Sequence, residues 1–220
     1  MPMLEPGRLH EVFVQGDDRA AGMVFALCRD RERCGEKVLL VRSGGSLRFC
    51  GEGLALMGID PARCTFVAVK EERDLLRAGL EAARCPDVAQ VVLETRGRFA
   101  GYDLTAGRRL ALAAGQSGAC IIVLRCDAPP RSSVAWTRWA VTGAPSVPLE
   151  TDAPGWPAME AELLRWRGGP SGGRWRLEWD ADHGTFRETD RAPAPVSGAV
   201  VPLSCVREGG DGDRKRSRAA

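Results

Sequence analysis

Residues 10–22 read His10-Glu11-Val12-Phe13-Val14 and then Gln15-Gly16-Asp17-Asp18-Arg19-Ala20-Ala21-Gly22. The first five residues form a short, apolar-rich strand. Beyond the turn, Ala20, Met23, Val24, Leu27 and Cys28 share one face of a helix that Asp17 or Asp18 can cap and that runs to about Cys34. A strand, a glycine-containing turn and a helix make the opening unit of an alternating α/β domain. The turn is where such a domain usually cradles a nucleotide. A phosphate-binding loop there needs glycines, a Lys for the β- and γ-phosphates, and a Ser or Thr hydroxyl for magnesium. Residues 15–22 hold neither Lys nor hydroxyl, and two aspartates stand where phosphates would sit and would repel them. A nucleotide-driven enzyme is disfavoured, a binding role leads, and no cofactor is expected.

Working outward, the rhythm repeats through residue 145. Lys37–Val41 (KVLLV) is a continuous apolar run of the kind that suits a parallel strand covered on both faces. Leu47–Met57 reads as a helix interrupted by Gly51 and Gly53, closed by Gly58, Asp60 and Pro61. Cys64–Val69 is a third strand. Glu71–Ala83 is a helix with Leu75, Leu76, Gly79, Leu80 and Ala83 on its buried face. Val88–Leu93 is a fourth strand ending at Glu94. Asp103 caps a helix carrying Ala106, Leu110, Ala113 and Ala114 on one face, with Arg108 and Arg109 elsewhere. Ala119–Leu124 (ACIIVL) is a fifth strand. Strands joined by crossovers a helix long argue a mainly parallel sheet flanked by helices.

The pattern then changes. Residues 134–142 (VAWTRWAVT) read as a short helix turning into a strand. Residues 143–157 carry four prolines and two glycines and read as a loop. Residues 158–179 read as an antiparallel hairpin turning at Gly168-Gly169-Pro170-Ser171-Gly172-Gly173. The expected organisation is a core over 8–145, a loop over 146–157, a hairpin packed on the core over 158–180, and a disordered, charged tail over 181–220.

Composition sets outer limits. A chain of 220 residues with 44% hydrophobic residues can build one core. Net charge is +2, so any nucleic-acid affinity must come from local patches. No apolar run approaches 18 residues, so no membrane span is expected, and a secretory signal is not evident at the N-terminus. The eight cysteines form no CxxC pair and have two histidines for company. They read as small buried hydrophobes in a reducing cytosol, with no metal site.

Five ordered segments carry a family resemblance: LHEVF (9–13), GLALMGIDPAR (53–63), DLTAGRRLALAA (103–114), TRWAV (137–141) and ELLRWRGG (162–169). Over roughly residues 8–180 the chain resembles the ImuA family, RecA-like accessory proteins of a bacterial mutagenesis cassette. The resemblance implies a RecA-like fold and a role in the SOS response to DNA damage. It also implies partners: an ImuB-like inactive relative of Y-family polymerases and an error-prone C-family DNA polymerase, which together carry out translesion synthesis, with RecA as a further candidate.

The RecA-like positions beyond the turn are also altered. The acidic residue ending a core strand, which would hold magnesium through water, is Glu94, read as vestigial or structural without a hydroxyl partner. The next strand ends at Leu124-Arg125-Cys126, with no Gln as γ-phosphate sensor. The two lysines that the RecA hairpin carries are matched by Arg165-Trp166-Arg167. Arginine contacts phosphate or carboxylate bidentately, so these residues are candidates for contact with a partner or with DNA. Strand alternation sends Arg165 and Arg167 to one face and Trp166 to the other.

Arg96, Arg98, Arg108 and Arg109 cluster in sequence around the loop after the fourth strand, where ligands of open α/β sheets sit. Phe99 and Tyr102 in that loop are candidate partner anchors. In the hairpin, Trp175, Leu177 and Trp179 alternate with Arg174, Arg176 and Glu178. An amphipathic hairpin whose tryptophans cover the core is favoured over a basic, aromatic surface for single-stranded DNA. His10 and His183 have no acid or nucleophile companions, and no catalytic residues are expected. The sequence therefore points to a noncatalytic accessory protein in the cytoplasm, acting through protein contacts with weak DNA binding as an adjunct. A RecA-like ATPase and a SulA-like inhibitor of cell division are the alternatives.

Overall fold

The computed structural model describes residues 4–27, 37–44, 49–149, 153 and 155–189. Among them, nine strands make one sheet in the order β3-β2-β4-β5-β1-β6-β7-β8-β9. The strands are β1 (Leu9–Val14), β2 (Lys37–Ser43), β3 (Cys64–Val69), β4 (Val88–Arg96), β5 (Cys120–Cys126), β6 (Thr137–Ala144), β7 (Ala158–Trp166), β8 (Arg174–Asp180) and β9 (Thr185–Glu188). The helices are α1 (Arg19–Leu27), α2 (Gly51–Leu56), α3 (Glu72–Ala83) and α4 (Leu104–Ser117). The expected parallel sheet flanked by helices, with an antiparallel C-terminal addition, is the architecture found.

Burial explains the halves. Every residue of β1 and β5 is buried, which is why β5 reads as an apolar run through Leu124 and why the polar His10 and Glu11 of β1 need partners inside the fold. On one face, Val12, Val14, Val92, Ile122 and Leu124 pack with Met23, Phe25 and Leu27 of α1 and Leu54 of α2. On the other, Leu9, Val91, Leu93, Ile121 and Val123 pack with Leu75 and Ala83 of α3 and Leu110 and Ala114 of α4. The Asp103 carboxylate accepts the Ala106 N–H at 2.8 Å, as its capping position requires.

Four local expectations change. Asp17 and Asp18 do not cap α1: they lie in a 3-10 turn, Gly16–Asp18, that runs straight into the helix, and the Asp18 carboxylate accepts the Gly143 N–H at 2.7 Å. Residues 134–136 are not helical, because Trp136 donates its backbone N–H to Leu9 O at 2.6 Å and leads into β6, parallel to β1. The helix expected from Leu47 starts within the described residues at Gly51, with the Cys50 thiol accepting the Gly53 N–H at 3.4 Å; 47–48 lie outside them. Residues 181–188, expected to belong to a disordered tail, instead form a turn and a strand. The Asp180 carboxylate accepts the N–H groups of Asp182 and His183, turning the chain into β9, where Phe186 meets Trp179 edge-on at 5.2 Å.

Residues 28–36 and 190–220, with the far end of the first helix and the basic run Arg214–Arg218, lie outside the described residues. Of the described cysteines, Cys120 and Cys126 are buried as expected, whereas Cys50 and Cys85 are exposed. No group of three or more metal-ligating side chains occurs among the described residues, and no described helix is long and apolar enough to cross a membrane.

Candidate functional site

The carboxyl ends of β1, β2, β4 and β5 meet the start of α1, and a cavity of about 720 Å3 opens there between α1 and α2. Its polar end is lined by Asp17, Arg19, Arg42, Arg96 and Asp127, its apolar end by Met23, Leu27, Leu54, Met57 and Ile59. This is the place of the missing phosphate loop. Counting the P-loop spacing from Gly16 puts Ala21 at the second glycine, Gly22 at the lysine and Met23 at the hydroxyl. Met23 is buried in the core. A Cβ on Gly22 would meet Val14 Cγ1 at 2.2 Å, so the helix lies too close to β1 for any side chain at the lysine position.

Glu94, the carboxylate expected to be vestigial or structural, is held by arginines. Arg19 Nε lies 2.6 Å from it and Arg42 Nη2 4.0 Å. The Glu94 side chain is 9% exposed and that of Arg19 is 41% exposed. Arg19 thus neutralises the carboxylate that would otherwise face magnesium. Asp127, in the left-handed region at φ 55°, accepts the Gly16 N–H at 2.9 Å and Arg96 Nε at 3.2 Å. Burial pushes the Cys126 thiol up to about 11, with the neighbouring Glu94 carboxylate adding to the effect. A magnesium-bound triphosphate does not fit this donor set. The turn offers the Asp17 carboxylate and neither lysine nor hydroxyl to the phosphates, and Glu94 is already paired with Arg19.

A second polar cluster lies deeper, at the seam between β1 and β6. Glu11, 1% exposed, accepts the Tyr102 hydroxyl at 2.8 Å, the Ser133 hydroxyl at 2.7 Å and Arg138 Nε at 3.1 Å. Arg125 lies 5.8 Å from the Phe13 ring and 5.3 Å from the Tyr102 ring, and Arg138 lies 5.3 Å from Phe13, so the aromatic faces supplement the one carboxylate. Burial lowers the Arg125 pKa and, with Glu11 beside it, raises that of Tyr102 well above 10. On the opposite face of the seam, Trp139 Nε1 donates to Thr137 Oγ1 at 2.8 Å, Thr137 Oγ1 lies 2.7 Å from His10 Nδ1, and His10 Nε2 lies 2.9 Å from Glu5 O. Thr137 donating to Nδ1 and Nε2–H donating to the carbonyl keep His10 neutral. Burial lowers its pKa to about 4.

The structure divides the sequence candidates. Arg165 is exposed and sits opposite Arg138 in the β6–β7 ladder. Arg167 donates Nε to Ala135 O at 3.1 Å and Nη2 to Ser133 O at 3.2 Å, so its guanidinium buttresses the loop before β6. Trp166 packs against the core on the other face. Arg96 belongs to the cavity rim, whereas Arg108 and Arg109 are exposed on α4, on the opposite side of the sheet; the expected arginine cluster is therefore split. Phe99 and Tyr102 are 1% and 4% exposed. They are core residues and cannot be partner anchors as expected. Trp139 and Trp175 face each other at 5.6 Å, and Trp179 is buried, in line with the core-covering reading of the hairpin. Arg19, Arg42, Asp127 and Glu11 were not singled out in the sequence. Each owes its part to partners distant in the chain. For Arg19 the available signal was a lone cation in an otherwise cation-free turn.

The fold is RecA-like. The crystal structure of the RadB recombinase superimposes with a TM-score of 0.54 at 17% identity, covering 80% of this chain and 89% of that one. No family model matches the chain. Protein ImuA from two strains of Caulobacter vibrioides is 36% identical over 144 residues, 60% of this chain and 57% of each relative. The chain is thus similar to Protein ImuA over that stretch, and it spans a little over half the length of those relatives.

Proposed function

We propose that this chain is a noncatalytic RecA-like accessory protein of an error-prone translesion-synthesis complex, acting through protein contacts in the response to DNA damage. The observation that carries the noncatalytic part is the Arg19–Glu94 pair at 2.6 Å beside a turn whose lysine position is a glycine packed on β1. The similarity to Protein ImuA supports the setting. The partners proposed are an ImuB-like polymerase relative and a C-family polymerase, with RecA as a further candidate, in the cytoplasm. Among the arginine candidates of the hairpin, Arg165 is the one left available for such contacts, since Arg167 is spent on backbone carbonyls. Co-purification with the tagged chain from damage-treated cells tests the reading. Recovery of a polymerase-like partner is expected, with recovery reduced by Arg165→Ala. Absence of any replication or repair protein from the recovered material would count against it.

A further inference from the structure

We propose that the outward face of α4 docks an acidic, amphipathic segment of a protein partner. The inference rests on the protein-contact reading above and gives it a surface. Leu104 and Leu112 are 47% and 65% exposed. They stand eight residues apart with Arg108 midway, so the three form a single stripe along the helix. Arg109 adjoins it. The helix Leu104–Ser117 contains no Asp or Glu, so neither arginine has an i, i+4 carboxylate on its own helix. The Asp103 carboxylate before it is committed to the cap. At the N-terminal end of the stripe, a cavity of about 380 Å3 is lined by Leu104, Gly107, Tyr102 and Val134 together with Arg131, Ser132, Ser133, the cap residue Asp103 and the already partnered Glu11. A stripe alternating leucine with an arginine that meets no carboxylate among the described residues, ending in a recess that an apolar side chain can enter, complements a helix bearing apolar residues at i, i+4 and i+8 between carboxylates.

Two other occupants fit less well. Single-stranded nucleic acid needs aromatic faces to stack on. The two aromatic rings of the adjoining loop, Phe99 and Tyr102, are buried, and the exposed apolar side chains flanking the arginines, Leu104 and Leu112, are aliphatic. A second copy of this chain would set Arg108 and Arg109 against one another and repel.

The test places a photo-crosslinking amino acid at Leu112 in the tagged full chain and maps the linked peptides from damage-treated cells by mass spectrometry. The expected linked segment carries an excess of Asp and Glu with apolar residues at helical spacing. Yield should fall by about tenfold or more in a background of Leu104→Asp, or of Arg108→Glu with Arg109→Glu, as for loss of a contact worth more than 1 kcal/mol. All of these positions are exposed, and an unchanged melting temperature verifies folding. Links to nucleic acid, to a second copy, or to a segment without excess acid would overturn the proposal, as would a yield indifferent to the variants. Partner recovery with no link from position 112 would condemn this surface and leave the accessory reading standing. Failure to recover any replication or repair protein would condemn both.

Discussion

The two polar clusters along β1 make opposite use of a Glu–Arg pair. At the β1–β6 seam, Glu11 and Arg138 are 1% and 11% exposed, and the carboxylate takes three donors from three different parts of the chain. At the strand-end turn, Glu94 is nearly buried but Arg19 is 41% exposed, and the pair borders an open cavity. A carboxylate removed from water is costly unless fully partnered, and breaking such a cluster strands the remaining charges. A half-exposed pair is screened and contributes little. The seam is therefore where polar groups hold β6, which carries the antiparallel strands beyond it, onto β1. At the turn they occupy ground that a nucleotide would need.

The largest effect should come from breaking the seam. Glu11→Gln leaves Arg125 and Arg138 without their carboxylate and is expected to cost about 3–5 kcal/mol of stability in urea unfolding. A loss under about 1 kcal/mol would mean that the seam is no more demanding than the turn. Next in size is the pH response of the seam's other face. His10 is neutral when folded, with its pKa lowered from 6.5 to about 4, so the unfolded chain takes up the proton first. Its contribution is complete above pH 6.5 and is lost as pH falls toward 4. Roughly 2 kcal/mol should be gone by pH 5. Unfolding at pH 7 and pH 5, with His10→Gln flattening the difference, checks this; an imidazole titrating near 6.5 by NMR would contradict it. The smallest effect belongs to the turn. Glu94→Gln should change stability by about 1 kcal/mol or less, and a drop comparable with that of Glu11→Gln would erase the contrast.

These contrasts also explain what the sequence made legible. The parallel half was readable because ACIIVL is buried throughout, KVLLV is buried at Leu40 and Val41, and both show unbroken apolar runs. Glu94 could be located because it follows another such run, Val91-Val92-Leu93. The capping role of Asp103 was local and correctly read, whereas that of Asp17 and Asp18 was local and wrong, because Gly143, 125 residues further on, supplies a donor that the turn itself does not contain. Glu11 escaped notice for the same reason: Tyr102, Ser133 and Arg138 lie 91 to 127 residues away. Phe99 and Tyr102 were misread as exposed because loop residues usually are. Here Arg131 donates to the carbonyls of both Phe99 and Tyr102, drawing that loop onto the sheet. β9 was hidden in polar composition; Phe186, its one aromatic residue, meets Trp179 across the ladder with β8.

Isothermal calorimetry of the purified chain with Mg–ATP tests the central claim most directly. No saturable heat and no phosphate release are expected, for the intact chain and for Glu94→Gln alike. Saturable binding accompanied by turnover that Glu94→Gln abolishes would contradict the account and make the chain a working RecA-like ATPase.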